Sequence, residues 1–469
     1  MYIMNNFKKY IGLLIVPFCL VMASCDGEEK YPDTTADETV IYEIKIVNGG
    51  SNGTETIVGK VDENTKEITF PEVHMESDLS HVKFDVKASE RAQLDLEEYD
   101  FVVPEGATQR KRTIAIVNGL RKREYFVTIR LDVPVWGADF TKAVAYDFSG
   151  ATRNIYPDLA AANTRAAHMD KDYVLIVSRD GGTRPHLLRI SDLKQGKKDN
   201  PIMLKTTNIS GGTFAVSGGR LSNGHVYICN MSTPPAGAVK IYYWDTPTSE
   251  PQVLYELTNQ ATGVSGRYGD YMSVNLDNNG NGYIYLGNNP SPAAILRLKV
   301  TGFTTISDPL VIAMTTFGGL WQSWNQVDGA ADEYLYTGHQ GPIVLTNANG
   351  GLLHTIPASV IPNAGGSDAF ILNFNNERYL VVNEVPGTGT ITVYDLSLGA
   401  TTTEALERFE AGDRAPLIKY SLGGAVAAGT AAGSIGWFKE GNDKLYLFGA
   451  APGAGFAILE VPKKVKNTN

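Results

Sequence analysis

Six short stretches decide the fold, and the third shows their pattern: Gly282-Tyr283-Ile284-Tyr285-Leu286-Gly287-Asn288, a turn glycine, an apolar strand, then a small or polar residue. The same order runs through 172–178, 224–230, 333–339, 377–383 and 443–449, with last residues 52, 58, 51, 44 and 66 positions apart. That spacing is near the ~50 residues of a propeller blade with four short strands and their loops. Around the quoted stretch, 271–276 reads as a preceding strand, 294–300 as a following one and 310–314 as a fourth. Four antiparallel strands, six times, predict a six-bladed β-propeller over residues 140–463. The last repeat lacks its fourth strand, while Ala143-Val144-Ala145-Tyr146-Asp147-Phe148 precedes the first repeat with no place inside it. Pairing 143–148 with the last blade closes the ring and removes two open sheet edges.

Upstream, residues 40–134 alternate apolar and polar side chains, as in Val40-Ile41-Tyr42-Glu43-Ile44-Lys45-Ile46-Val47 and Tyr125-Phe126-Val127-Thr128-Ile129-Arg130-Leu131. A period of two gives each strand one buried face. With turn clusters at 48–52 and 62–66, this predicts an immunoglobulin-like β-sandwich of about 95 residues. The expected fold is all-β: N-terminal immunoglobulin-like β-sandwich followed by a six-bladed β-propeller, with a short basic tail at 464–469.

The first 24 residues read as a lipoprotein signal peptide. Lys8 and Lys9 precede an apolar run from Ile11 to Met22, and small residues lead to Cys25. Twelve apolar residues are too few for a mature membrane helix, which needs ~20. Val21-Met22-Ala23-Ser24-Cys25 resembles a bacterial lipobox, which implies a lipid on Cys25. Residues 25–39 then form an acidic tether, and Asp26-Gly27-Glu28-Glu29 is similar to the export signal of surface lipoproteins in gut anaerobes. The net charge is −10, and loss of residues 1–24 removes two lysines and no acid, leaving −12. Such a balance disfavours nucleic acid and anionic lipid surfaces. Cys19 leaves with the signal and Cys25 carries lipid, so Cys229 has no disulfide partner.

Propeller ligands commonly meet the axis on the face where loops enter the inner strands and leave the second strands. The residues placed there are Arg179, Asp180, Asn230, Arg267, Tyr268, Asn288, Trp321, His339, Asn383 and Glu384. Amides match sugar hydroxyls, and indole or phenol faces pack on pyranose rings. Trp321 and Trp324 read equally as channel plugs, and the recurring Asn230, Asn288 and Asn383 equally as strand-end caps. The pairs Gly211-Gly212, Gly318-Gly319, Gly365-Gly366 and Gly423-Gly424 read as turns needing positive φ. Asp180, Asp368 and Glu384 supply carboxylates for glycoside cleavage only if two stand at a defined separation. Ser178-Arg179-Asp180-Gly181-Gly182-Thr183 resembles a sialidase aspartate box but occurs once, lacks the tryptophan and has its threonine displaced. Asp277-Asn278-Asn279-Gly280-Asn281-Gly282 matches half a calcium loop, and a hairpin turn accounts for it fully. A metal triad through His168 and His339 has no spacing to support it. No catalytic residue, metal or cofactor is expected.

The lipobox, acidic leader, small β-domain and C-terminal propeller together resemble surface lipoproteins of polysaccharide-utilisation systems in gut anaerobes. The full chain is similar to a family of unknown function with an N-terminal bacterial immunoglobulin-like domain. The resemblance implies a lipid-anchored outer-membrane protein, facing the cell exterior, that binds glycan or oligosaccharide or scaffolds an outer-membrane transporter complex. A hydrolase or lyase acting at the funnel, and a protein-binding propeller, are the alternatives. Thioether lipidation needs the thiol, so a Cys25→Ala protein should take up no labelled fatty acid and appear in the soluble fraction or as uncleaved precursor. Label persisting in that variant contradicts the anchor.

Overall fold

The computed structural model describes residues 38–104, 106–180, 184–259, 266–289, 293–314, 321–338, 341–361, 368–384, 389–424 and 433–466. The signal, Cys25, His339 and the pairs Gly318-Gly319 and Gly365-Gly366 lie outside the described residues. The chain divides into two compact units, Met1–Pro134 and Val135–Asn469.

In the first unit the alternation forms strands as expected. Tyr125, Val127 and Ile129 are buried while Phe126 between them is exposed. They pack with Ile44, Ile68, Phe101 and Ile116 into one core. The immunoglobulin-like pairing is not what results. Strands Phe84–Ala88, Ile41–Gly49, Glu55–Asp62, Glu67–Thr69, Arg121–Asp132, Gln109–Asn118 and Gln93–Leu94 follow one another in a single sheet. Glu67–Thr69 and Val73–His74 both pair parallel with Arg121–Asp132. Val82 and Tyr99, flanking the two end strands, exchange backbone hydrogen bonds of 2.9 Å. The sheet therefore curls into a nearly closed barrel. The physical reason is the length of Arg121–Asp132, which carries both Glu67–Thr69 and Val73–His74 as parallel partners while also pairing with Gln109–Asn118.

The second unit is the propeller. Blade 1 is Thr164–Met169, Tyr173–Ser178, His186–Arg189 and Ile202–Met203, from the inner strand outward. Blade 2 is Phe214–Ser222, His225–Met231, Val239–Trp244 and Gln252–Leu257. Blade 3 is Ser273–Leu276, Gly282–Asn289, Ala294–Thr301 and Thr305–Ala313, with Arg267–Tyr268 also on its second strand. Blade 4 is Ser323–Gln326, Tyr334–Thr337, Ile343–Thr346 and Leu352–Ile356. Blade 5 is Asp368–Phe374, Glu377–Glu384, Thr390–Asp395 and Ile418–Ser421. Blade 6 is Ser434–Glu440, Lys444–Ala451, Gly455–Pro462 and Val144–Ser149.

The quoted stretches are the second strands. Each lies between neighbouring blades, so both faces are covered and the sequence runs apolar without alternation. Val174 to Ser178, for instance, are all buried. The ring closes as the orphan strand requires: Val144 pairs with Glu460 and Ser149 with Gly455. Phe148 stacks on Phe456 with ring centroids 5.1 Å apart. The long last interval has a cause not expected from the sequence, the helix Thr402–Ala411 between the outer strands of blade 5. The Thr401 hydroxyl accepts from the Glu404 amide, the Glu404 carboxylate accepts from the Ala400 amide, and Ala405, Leu406 and Phe409 face inward.

Among the glycine pairs, Gly212 has φ +72, and a Cβ there would stand 2.4 Å from the Met231 carbonyl oxygen. Gly423, at φ +66, faces the Ala151 backbone as closely. Asp277 uses its carboxylate on its own turn, accepting from the Asn279 and Asn281 amides at 2.8 and 2.9 Å.

If closure through Val144–Ser149 holds the ring, Phe148→Ala should destabilise the propeller by about 3–5 kcal/mol. Chemical denaturation checks it, and unchanged stability would place the closing energy elsewhere.

Candidate functional site at the propeller axis

Six inner strands converge on one axis, so whatever fills it is shared between blades. Its centre is the Asp368 carboxylate, at the start of the blade 5 inner strand and 1% exposed. Oδ2 accepts from the Tyr271 hydroxyl at 2.6 Å, Arg220 Nη2 at 2.9 Å and the Ile435 amide at 3.2 Å. Oδ1 accepts from Asn325 Nδ2 at 2.6 Å. These donors belong to blade 2, the approach to blade 3, and blades 4 and 6, so one carboxylate ties together five blades. Blade 1 joins through His168, whose Nδ1 accepts from the Leu221 amide at 3.2 Å.

A buried charge is tolerated only when paired and hydrogen-bonded. The Arg220 guanidinium lies 4.5 Å from the centre of the Tyr271 ring as well as against Asp368. Burial pulls the Arg220 pKa down, but Tyr271 and Asp368 outweigh it and the net shift is upward. Burial pushes the Tyr271 phenol up, so it stays protonated and donates.

Where the inner strands end, the axis opens into a cavity of about 700 Å³. His168, Arg220, Asn325, Phe370 and Trp437 are among the residues lining it. Arg220 Nη1 is buried with no hydrogen-bond partner among the described residues. Burial, then the nearby Arg220 charge, hold His168 well below its usual pKa of 6.5, so its imidazole is neutral at pH 7. Because Nδ1 accepts, the ring proton sits on Nε2. Phe370 and half-buried Trp437 meet edge to face, centroids 6.4 Å apart. Asp170, on the same cavity, accepts from the Asp172 and Tyr173 amides with Oδ1, while Oδ2 has no partner among the described residues and burial raises its pKa.

The other mouth, where the inner strands begin, is the face to which the sequence pointed. Trp321 is 4% exposed, at φ +53, and packs on Tyr271. Few bulky residues adopt that backbone region, so the surroundings hold it there. The Arg165 and Arg179 guanidinium groups stand 5.3 and 5.2 Å from the centre of its ring. Trp321 is thus a plug overlaid by cations, and Trp324 is core, stacked on Tyr285 at 4.7 Å. Arg179 donates to the Ser217 hydroxyl and approaches Asp270 at 3.5 Å, and Arg267 holds Asp270 with Nε and Nη2.

The three recurring asparagines are fully or nearly fully buried clamps. Asn230 donates to the Ala238 carbonyl and accepts from the Lys240 amide. Asn288 accepts from the Ala294 amide, and Asn383 donates to the Ser434 and Ala450 carbonyls, joining blades 5 and 6. Tyr268 is fully buried in the core of blades 2 and 3. The three carboxylates weighed for cleavage have separate surroundings. Asp368 is the axial hub, Asp180 is exposed beyond the end of blade 1's second strand, and Glu384 lies 3.7 Å from Lys419. Arg165, Arg220, Tyr271, Asn325 and Trp437 were not among the residues expected at the site. The available signal was a charged or amide side chain inside an otherwise apolar inner strand.

Asp368→Ala leaves Arg220 buried without its counter-ion and should cost about 3–5 kcal/mol by denaturant titration. A loss below about 1 kcal/mol would remove Asp368 from the centre of the fold. A second expectation concerns pH. Unfolded His168 titrates near 6.5 and the folded residue well below it, so the unfolded chain binds the extra proton as pH falls. The stability of the native protein relative to a His168→Gln variant should therefore decrease from about pH 7.5 to 5.5, which paired urea titrations measure.

A family profile described as Domain of unknown function (DUF4623) matches residues 26–464. Comparison with curated proteins returns no match. A DUF4623 family protein from Bacteroides eggerthii, solved by crystallography, is 34% identical, with a TM-score of 0.71 over 92% of this chain and 100% of its own. More distant solved structures include the α-L-arabinofuranosidase Arb93A from Fusarium graminearum with an iminosugar inhibitor, at 13% identity, TM-score 0.40 and coverage of 64% and 93%. Another is a GH43_1 enzyme from Xanthomonas citri, at 12% identity, TM-score 0.32 and coverage of 52% and 86%. By its profile match and by its identity with the B. eggerthii protein, the chain belongs to the DUF4623 family.

Proposed function

We propose that this is a lipid-anchored surface protein whose propeller binds a short oligosaccharide, without cleaving it, in the axial cavity. The observation that carries the reading is the cavity itself. Its volume of about 700 Å³ lies within the range of small-molecule sites. It combines the aromatic rings of Phe370 and Trp437 with Arg220 and Asn325 and a neutral His168. Aromatic faces suit the apolar side of a pyranose, and the polar groups suit its hydroxyls. The lipobox and acidic tether support a surface location, where such a protein would hand glycan to a neighbouring transporter.

Cleavage is the weaker reading, because glycosidases of the usual kind need two carboxylates flanking the bond. Asp170 is a carboxyl on the cavity with an unpartnered oxygen among the described residues, and Asp368 is committed to its four donors.

Calorimetry with neutral plant and host oligosaccharides tests the proposal. Trp437→Ala should weaken a bound glycan by about 1–2 kcal/mol through lost ring contact; because the partly buried indole also packs on Phe370 and the core beside it, melting curves must show the variant folded at the titration temperature. Failure of the whole panel to bind at millimolar concentration, or binding indifferent to Trp437, overturns the cavity assignment.

A further inference from the structure

The mouth opposite the cavity has a charge composition that a neutral sugar does not explain. Three guanidinium groups, those of Arg165, Arg179 and Arg267, gather there; the Asp270 carboxylate is buried beside Arg179 and Arg267, and Asp180 is exposed next to Arg179 in the chain. Arg267 and Asp270 are joined at 2.9 Å, which leaves two cations against the Trp321 ring in a chain of net charge −10. Arg165 Nε and Nη1 are buried without a hydrogen-bond partner among the described residues.

Packing like charges together away from water is costly unless an anion completes the group. Burial, with a further push from Arg165 and Arg267, lowers the Arg179 pKa to about 10, which still leaves it charged at pH 7. The indole and the Phe214 ring, 5.1 Å from the Arg179 guanidinium, favour flat cations and hold their forks in place. A guanidinium gives a carboxylate charge-assisted hydrogen bonds, although Arg179 already commits Nε and Nη2 to the Ser217 hydroxyl.

We propose that this mouth is a second binding site, for the carboxylate of an acidic saccharide such as a uronic-acid oligomer, with Arg165 and Arg179 as the gripping residues. That the ligand is a saccharide rests on the function proposed above. That it is an anion rests on the arginines alone.

The test titrates the full-length protein with oligogalacturonate, free galacturonate, sodium sulfate and a neutral oligosaccharide of equal length. Oligogalacturonate should bind, the neutral oligomer should not bind at this mouth, and affinity should fall with added salt as the charges are screened. Arg165→Gln should weaken binding roughly tenfold or more, as expected for losing a charged hydrogen bond. Arg267→Gln, a half-exposed position, serves as the second variant should Arg165→Gln prove unstable, and should weaken binding in the same direction. Arg165→Gln should leave binding of the neutral oligosaccharide unchanged, which separates this site from the axial cavity. No binding of any anion, or uronate binding untouched by both arginine variants, overturns the site. Equal affinity for sulfate, free galacturonate and the oligomer overturns the saccharide assignment.

Discussion

A single buried carboxylate organises this propeller. Six inner strands must approach one axis, which takes charged and amide side chains of several blades out of water, where each needs a partner. Asp368 meets that need by accepting from Tyr271, Arg220, Ile435 and Asn325, so that groups from different blades share one charge. Such an arrangement is weak evidence of added stability, because desolvating Arg220 and Asp368 offsets much of their attraction. Its consequence is geometric: side chains from five blades are held in one register about the axis.

The residues around that carboxylate differ in chemistry towards the two ends of the inner strands. On one side Trp321 packs on Tyr271, with the Arg165 and Arg179 guanidinium groups against its ring. On the other, Arg220 contributes an Nη1 without a partner among the described residues to a cavity with aromatic walls. One mouth is cationic in an acidic protein, and the other mixes aromatic and polar groups. The two proposed sites would therefore select different ligands, one neutral and one anionic.

The blades were legible because a strand covered on both faces must be apolar throughout, and six such runs at blade spacing fit few folds besides a propeller. The closing strand was legible by elimination, since 143–148 had no partner and the last blade lacked one. The first unit was less so. Alternation in Tyr125 to Leu131 shows which side is buried, yet parallel and antiparallel partners leave the same pattern, so the curled sheet was not visible. The helix Thr402–Ala411 does carry a sequence signal, with Ala405, Leu406 and Phe409 on one face and Thr401 as its cap, but it lay inside an interval read as strand and loop. At the axis, residue type misled. Asn230, Asn288 and Asn383 have the chemistry to bind sugar, and the fold uses that same chemistry to fasten strand ends. Asp368 was singled out as an acid and serves as an acceptor. Arg165 and Arg220 escaped because their partners are distant in sequence, and only the closing of the ring brings them to the centre.

The proposed function turns on whether an oligosaccharide occupies the axial cavity. Hydrogen–deuterium exchange of the full-length protein, with and without a saturating neutral oligosaccharide, measures this directly. Exchange should slow in peptides covering 168–171, 220–224 and 437–439, the cavity-lining ends of the inner strands. Protection confined to residues 38–134, or to the outer strands of the blades, would contradict binding in the cavity.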